Sequence, residues 1–283
     1  MKRKLWTLLL ALGAALALCV GAGATEQDDF SEALNISSSI TLGSNVTYSG
    51  LLKVYKDFTI DLNGYVLDIS GGIYVQSGGQ LTITDSNSSA THKFSTPNLG
   101  GRWVLGESAS GTEGEDYQTV TGGVITGGTG KQDPDHPTLS GGGVYVDGGG
   151  TFTMSGSSTI IGCAVGTDGG GVYVKGTFTM NGSSAITNCT TDIGETGGTG
   201  GGVWVEDTGT LTMNDNSAIR DCTARTGGGV TVNSGESRGQ FIMNGGLITG
   251  CKATNDTGGG GIFNSGEVTM TGGEITNCTA KPP

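Results

Sequence analysis

Residues 141–163 read GGGVYVDGGGTFTMSGSSTIIGC, and residues 169–189 read GGGVYVKGTFTMNGSSAITNC. Both segments follow one pattern: a glycine run, a strand-like Val-Tyr-Val, a second strand-like Thr-Phe-Thr-Met, and an apolar segment that ends at a cysteine. Three further copies begin at Gly200, Gly227 and Gly259, and successive methionines lie 26 to 33 residues apart. A repeat of this length predicts a solenoid in which each copy forms one coil.

Apolar and polar residues alternate within each copy, which is the period of a strand with one buried face. In the first copy Val144 and Val146 face one way, and Tyr145 faces the other. A unit of three such short strands cannot bury its apolar side alone. Stacked units bury it when each strand pairs with its equivalent in the next unit. The sequence therefore predicts an all-β, three-faced parallel β-helix whose coils lie ~4.8 Å apart.

The same pattern occurs upstream in a less regular form. Residues 72–75 and 80–83 match the first two strands of the unit, and residues 121–125 match the third. Residues 86–120 are therefore predicted as a loop inserted between two strands of one coil. With an earlier coil before these, the solenoid has about seven coils.

The chain divides into three predicted parts. Residues 1–24 are predicted as a signal peptide, residues 25–39 as an N-terminal cap with a short helix at 29–34, and residues 40–283 as the β-helix repeats. A second loop insertion is predicted at 128–140.

The predicted signal peptide has the three regions typical of secreted proteins. Three basic residues, Lys2–Lys4, precede an apolar run from Leu5 to Val20, and Ala22–Ala24 supplies small residues for cleavage. This pattern predicts secretion. A membrane anchor and lipid attachment at Cys19 are the less favoured alternatives, since the apolar run is short and Leu18 is bulky for a lipid-attachment signal.

Composition and charge restrict the function. Of 283 residues 56 are Gly, which disfavours helices, and Gly does not recur at every third position as collagen requires. The net charge is -12, and removal of residues 1–24, which carry three bases and no acid, makes it -15. A chain this acidic is predicted not to bind nucleic acid. No second long apolar segment is present, so no membrane span is expected after signal removal.

Several phrases resemble a known fold family. Asp61–Gly64, Gly143–Val146 and Gly176–Gly182 are similar to the repeats of bacterial secreted and surface proteins with a right-handed parallel β-helix and a pectin-lyase-like fold. The resemblance covers about residues 40–280. It implies the handedness and a bacterial, adhesin-like context. The family also includes pectate lyases and polygalacturonases, so the activity has to be argued from individual sites.

The sequence favours a non-catalytic role over an enzyme. The lyases of this family use clustered Asp residues on calcium with a basic residue, and polygalacturonases use several Asp with a His between glycines. Here only His92 and His136 exist, neither lies between glycines, and the arginines match no lyase motif. A polysaccharide lyase or glycoside hydrolase stays an alternative, with weak candidates at Arg102, Lys131, Asp133 and Asp135.

The second insertion contains an oxygen-rich cluster, and Glu113, Glu115 and Asp116 in the first insertion are similar. Asp133, Asp135 and His136 lie within four residues, and oxygen ligands suit calcium. Asp-Pro and His-Pro are also ordinary turn formers. We therefore expect no required cofactor, with calcium as an alternative at these three residues.

Two columns of equivalent residues are predicted to point inward. The methionines of the repeat are predicted as core. The cysteines are predicted as a stack of buried free thiols, with one or two disulfides as the alternative, because their number is odd. These cysteines are Cys163, Cys189, Cys222, Cys251 and Cys278.

An aromatic column is predicted to point outward from the first strand of the unit. Contiguous exposed rings often mark a binding surface, while aromatic residues also stack on one another across strands. The candidates for ligand contact are Tyr74, Tyr145, Tyr173, Trp204 and Phe263, and the column is interrupted by Thr231.

The sequence therefore predicts a secreted or cell-surface interaction module, adhesin-like and non-catalytic, whose partner is an extracellular glycan or a surface protein. The second alternative is that the chain is a fragment of a larger surface protein, because it stops at Lys281-Pro282-Pro283, directly after a repeat.

Overall fold

The computed structural model describes residues 18–19, 26–95, 103–106, 110–114, 116–130, 140–191, 197–256 and 258–281. Nearly all regular structure is β, in three long parallel sheets that wind around a common core. This confirms the predicted three-faced parallel β-helix. We call the three outer surfaces face A, face B and face C, in the order in which each coil passes through them.

Face A is the longest sheet, with nine strands. Its first strand, Leu18–Cys19, lies within the segment predicted as a signal peptide and pairs with Ser39–Thr41. The strands are Leu18–Cys19, Ser39–Thr41, Asp57–Asp61, Gln80–Thr84, Thr151–Met154, Thr177–Met180, Thr210–Met213, Gln240–Met243 and Glu267–Met270.

Face B has eight strands. They are Val46–Tyr48, Val66–Ile69, Val124–Thr126, Thr159–Ile161, Ala185–Thr187, Ala218–Arg220, Leu247–Thr249 and Glu274–Thr276.

Face C has seven strands, which gives seven complete coils, in agreement with the predicted number. They are Leu52–Val54, Ile73–Val75, Val144–Val146, Val172–Val174, Val203–Val205, Val230–Val232 and Ile262–Asn264. At the corner between faces B and C, a narrow ladder joins Thr223–Ala224, Lys252–Ala253 and Thr279–Ala280.

The pairing registers follow the repeat. Phe152 pairs with Phe178, and Met154 with Met180, on neighbouring strands of face A. On face B, Ile160 pairs with Ile186. These residues are all fully buried in one continuous core, so each coil covers the apolar side of the next. The two buried phenylalanine rings stack at 4.7 Å between centroids.

The glycine run that opens each copy is required by close packing. At Gly171 an added Cβ would lie 2.6 Å from the carbonyl oxygen of Gly202 and 2.7 Å from a methyl group of Ile186. Any side chain at this corner would therefore collide with the next coil.

A helix, Glu26–Ile36, covers the first coil. Its Phe30 and Ala33 are fully buried and belong to the common core. The helix is longer than the short segment predicted from the sequence. An edge of a parallel sheet that is left open invites pairing with other chains, and a covering helix prevents it.

The first insertion is not an irregular loop. Thr91–Ser95 pairs antiparallel with Val104–Leu105 on one side and with Tyr117–Thr121 on the other. We call this three-stranded unit the side sheet. It is the only antiparallel sheet among the described residues.

Candidate functional site

Four rings of the aromatic column on face C form a continuous stack, from which Phe263 is separated by Thr231. The centroids of Tyr145 and Tyr173 lie 4.8 Å apart, with an interplanar angle of 6°. Tyr173 and Trp204 stack at 4.5 Å, and Tyr74 meets Tyr145 edge to face at 5.4 Å. Offset stacks and edge contacts of this kind stabilise by about 0.5–1.5 kcal/mol each beyond their buried area.

The expectation that this column is exposed is wrong for part of it. Tyr74 is only 5% exposed and Trp204 only 9%. Tyr145, Tyr173 and Phe263 are half-buried. The stacked neighbours hide one another's faces, which is the surface a sugar would need. Whether these rings contact a ligand stays a prediction, but most of the stack stabilises the solenoid.

Acidic side chains surround the hydroxyl end of the stack. The Tyr74 hydroxyl donates to Oδ2 of Asp147 at 3.0 Å. Burial, together with the nearby carboxylates, raises the pKa of Tyr145 and Tyr173 well above the ordinary value for tyrosine. Burial also raises the pKa of Glu206, against the opposing effect of Lys175, whose Nζ lies 4.0 Å from Oε2 of Glu206. The hydroxyls of Tyr145 and Tyr173 are therefore protonated at neutral pH.

A different site lies on face B, where the side sheet packs against the solenoid. Three side-sheet residues, Phe94, Trp103 and Val120, form a small second core with residues of face B that point outward. Their partners on the solenoid are Val66, Val124 and Ile161. The outer side of face B is therefore apolar where the side sheet covers it.

Two further contacts fix the side sheet beside the following coils. The Asn188 side chain, at a turn with φ of 52°, donates to Oε1 of Gln118. The Trp103 amide donates to the carbonyl oxygen of Gly162, where an added Cβ would lie 2.3 Å from Cβ of Trp103. Glycine is required at 162 to let the two layers approach.

Between the side sheet and the uncovered part of face B lies a groove of about 400 Å³. Small residues of consecutive strands, Ala185 and Ala218, contribute its apolar lining and are almost fully buried. The remaining lining is polar: Thr119, Thr121, Ser157, Thr159, Ser183, Asn216 and Arg220.

The polar side chains that line the groove are not engaged in hydrogen bonds with the rest of the described protein. Not one of those seven polar side chains has a hydrogen-bond partner within the described part of the chain. Hydroxyl and amide groups each offer both donors and acceptors. The groove therefore presents a set of hydrogen-bonding groups that no described residue satisfies and that a ligand or solvent can bind.

Arg220 supplies the charge of the groove. Its Nε is buried and makes no hydrogen bond to any described residue. The neighbouring carboxylate of Asp221 lies against Gly250 in the following coil, and burial raises the pKa of Asp221 while Arg220 opposes that rise. A guanidinium held in this way suits a planar or tetrahedral oxyanion.

The sequence predicts five side chains as candidates for catalysis or calcium binding. Arg102, Lys131, Asp133, Asp135 and His136 lie outside the described residues. In the described part, no three His, Cys, Asp or Glu side chains converge as a metal site would require. His92 is buried, with Nε2 2.8 Å from the carbonyl oxygen of Gly64.

The cysteine column is a stack of free thiols, as predicted. Four of the five are fully buried, and Cys278 in the last coil is half-buried. Burial raises the pKa of Cys189 and Cys222, and the hydrogen bond to Cys222 raises that of Cys251. A thiol with a raised pKa is a poor nucleophile, so the column serves as core.

Comparison of the chain with protein-family models, with curated proteins and with solved structures finds no match. Among the described residues, no helix combines the length and the apolar character needed to cross a membrane.

The groove could not be read from the repeat. Its lining combines residues of the insertion with outward residues of the coils, and only the tertiary packing brings them together. One signal was present: Ala185 and Ala218 are small at a position where the next coil has Leu247. Arg220 is a second departure from the repeat, because both neighbouring coils have threonine at its position.

Proposed function

We propose that the protein is a secreted or cell-surface interaction module, non-catalytic and adhesin-like, that binds a saccharide in the groove between the side sheet and face B. The observation that carries this proposal is the groove's lining of hydrogen-bonding side chains without internal partners, set around an apolar part formed by Ala185 and Ala218. The predicted signal peptide and the resemblance to bacterial secreted β-helix proteins support the extracellular setting.

The chemistry of the groove matches a sugar better than an apolar ligand or a peptide. Sugars present hydroxyls at their edges and C–H groups on their faces. The threonine and serine hydroxyls of the groove suit the edges, and the alanine methyl groups suit a face. The groove has no large apolar pocket among its lining residues, which an anchoring peptide side chain would need.

The solenoid makes the site rigid. Binding residues on loops are useful when a scaffold fixes their positions. Here three consecutive strands of face B hold Thr159, Ala185 and Ala218 in register. The side sheet is fixed by its own small core, so little backbone entropy is lost when a ligand binds.

The repeat itself supplies a groove-filling variant that should fold. Ala218 pairs in register with Leu247, so face B accepts leucine at this position in the next coil. Ala218→Leu places the larger side chain in the groove. The matched control is Thr212→Ile on face A, where the in-register neighbour is Ile242.

The test is retention of the purified protein on an array of oligosaccharides, including neutral and uronate types. We expect retention by the wild type and by Thr212→Ile, and its loss in Ala218→Leu at unchanged thermal stability. Equal retention by all three proteins would move the site elsewhere, and no retention on any saccharide would overturn the proposal. Release of unsaturated products or new reducing ends from a bound polymer would contradict the non-catalytic role.

A further inference from the structure

We propose that the groove selects saccharides that carry a sulfate or phosphate ester, and that Arg220 is the residue that recognises this group. The inference rests on the proposed function, because it names the class of saccharide taken by the same groove.

Arg220 lies where it can contact a ligand in the groove. It is the last residue of the strand Ala218–Arg220, and it is the one charged residue among those that line the groove. Its Nε is buried without a hydrogen-bond partner in the described residues. The side chain as a whole is half-buried, and a bound oxyanion would supply acceptors for its N–H groups.

The flanking coils show that this arginine is not required by the fold. Arg220 pairs in register with Thr187 on one side and with Thr249 on the other. Threonine therefore satisfies the backbone and packing at this position in both neighbouring coils. The arginine adds a guanidinium to the groove, and its Nε makes no hydrogen bond to any described residue.

The distribution of donors favours a tetrahedral oxyanion over a carboxylate. A carboxylate uses both of its oxygens on the two parallel N–H groups of a guanidinium. An ester of sulfate or phosphate has a third free oxygen. In this groove, Thr119 and Thr121 come from the side sheet and Ser183 and Asn216 from the solenoid, so both elements contribute donors that could bind it.

The overall negative charge of the chain means that anion binding requires a specific cationic residue. The net charge is -12, so the protein as a whole repels anions. Binding of an anionic saccharide must therefore depend on a particular cation, and not on a general basic surface.

The experiment uses calorimetric titration with one oligosaccharide in four forms: neutral, sulfated, phosphorylated and uronate. The proteins are the wild type, Arg220→Thr, Arg220→Lys and the control Arg225→Thr, whose exposed arginine lies outside the groove lining. We expect the two esters to bind the wild type about 10- to 100-fold more tightly than the neutral form, the range for hydrogen bonds to charged groups.

We expect Arg220→Thr to lose this preference, so that its affinities for the ester and neutral forms lie within about threefold of each other, a difference no larger than a surface substitution causes. Arg220→Lys should keep only part of it, because an ammonium lacks the two-pronged geometry. Arg225→Thr should behave as the wild type.

Two results would overturn the inference while leaving the proposed function intact: equal affinity of the wild type for neutral and ester forms, or binding of the uronate form as tight as that of the esters. If none of the four forms binds, the proposed function fails and the inference with it.

Discussion

The stacked core can be tested by breaking one ring contact between neighbouring coils. Phe152 and Phe178 are fully buried and stack at 4.7 Å with an interplanar angle of 11°. Leucine is acceptable at this position, because Leu211 pairs in register with Phe178 in the next coil. We therefore choose Phe178→Leu, Phe152→Leu and the double substitution.

The magnitude follows from two terms. The ring stack contributes about 0.5–1.5 kcal/mol beyond buried area. The smaller side chain also loses buried surface, at ~0.8 kcal/mol per methylene equivalent. Each single substitution should therefore lower the free energy of unfolding by about 2 kcal/mol. The double substitution should cost less than the sum by about 0.5–1.5 kcal/mol, since the stack is lost only once.

The control pair is Phe152 and Phe241, both fully buried on face A but three coils apart. Coils spaced by ~4.8 Å place these residues ~14 Å apart, beyond the range at which substitutions couple. The assay is urea unfolding followed by far-ultraviolet circular dichroism. A coupling of equal size in both pairs, or no coupling between Phe152 and Phe178, would refute the coil-by-coil stacking of this core.

Three further outcomes follow from individual positions. In the native protein, iodoacetamide should modify no more than one of the five repeat cysteines, Cys278, and mass spectrometry after urea denaturation should show all five modified. Gly171→Ala should lower the free energy of unfolding by about 1–3 kcal/mol, because the added Cβ would lie 2.6 Å from the Gly202 carbonyl oxygen. Urea unfolding indistinguishable from wild type would contradict close packing of this glycine against the next coil. The pKa of Glu206 is raised in the folded state, so the folded protein binds the Glu206 proton more tightly than the unfolded chain does. As the pH rises above 4.5, the ordinary pKa of a glutamate, the carboxylate ionises and destabilises the fold. Glu206→Gln should therefore unfold at higher urea than wild type at neutral pH and at the same urea below pH 4.5, while a variant less stable at neutral pH would show that the contact with Lys175 outweighs burial.

The repeat made the solenoid predictable. Five copies agree at several positions at once, and the strand registers follow that alignment: Val144 pairs with Val172, Thr151 with Thr177, and Ile160 with Ile186. Register is set by which residues must be buried, because a shift by one residue would turn every apolar side chain outward. Periodicity in the sequence carries this information directly.

The exposure of the ring stack was not predictable from the same pattern. Alternation shows that Tyr74 and Trp204 point away from the core, but it does not show what else covers them. In the structure each ring is covered in part by the ring in the neighbouring coil, and Tyr74 is held by Asp147. This burial depends on contacts between coils. The alternation of apolar and polar residues within one strand gives no information about those contacts.

The side sheet and the groove could not be predicted from the repeat either. The insertion occurs once, so no copy shows which of its residues pair. Its apolar residues Phe94, Trp103 and Val120 are scattered among polar ones, and only their antiparallel pairing brings them to one side. The groove follows from that packing, since its two walls come from segments far apart in the chain.

The most direct test of the proposed function is to locate the bound saccharide on the protein. Hydrogen exchange measured by mass spectrometry, with and without an oligosaccharide that the array retains, reports protection segment by segment. We predict slower exchange in residues 117–121 of the side sheet and residues 183–187 of face B, with no change on face C at residues 172–174. Protection confined to face C would place the ligand on the ring stack and contradict the groove as the binding site.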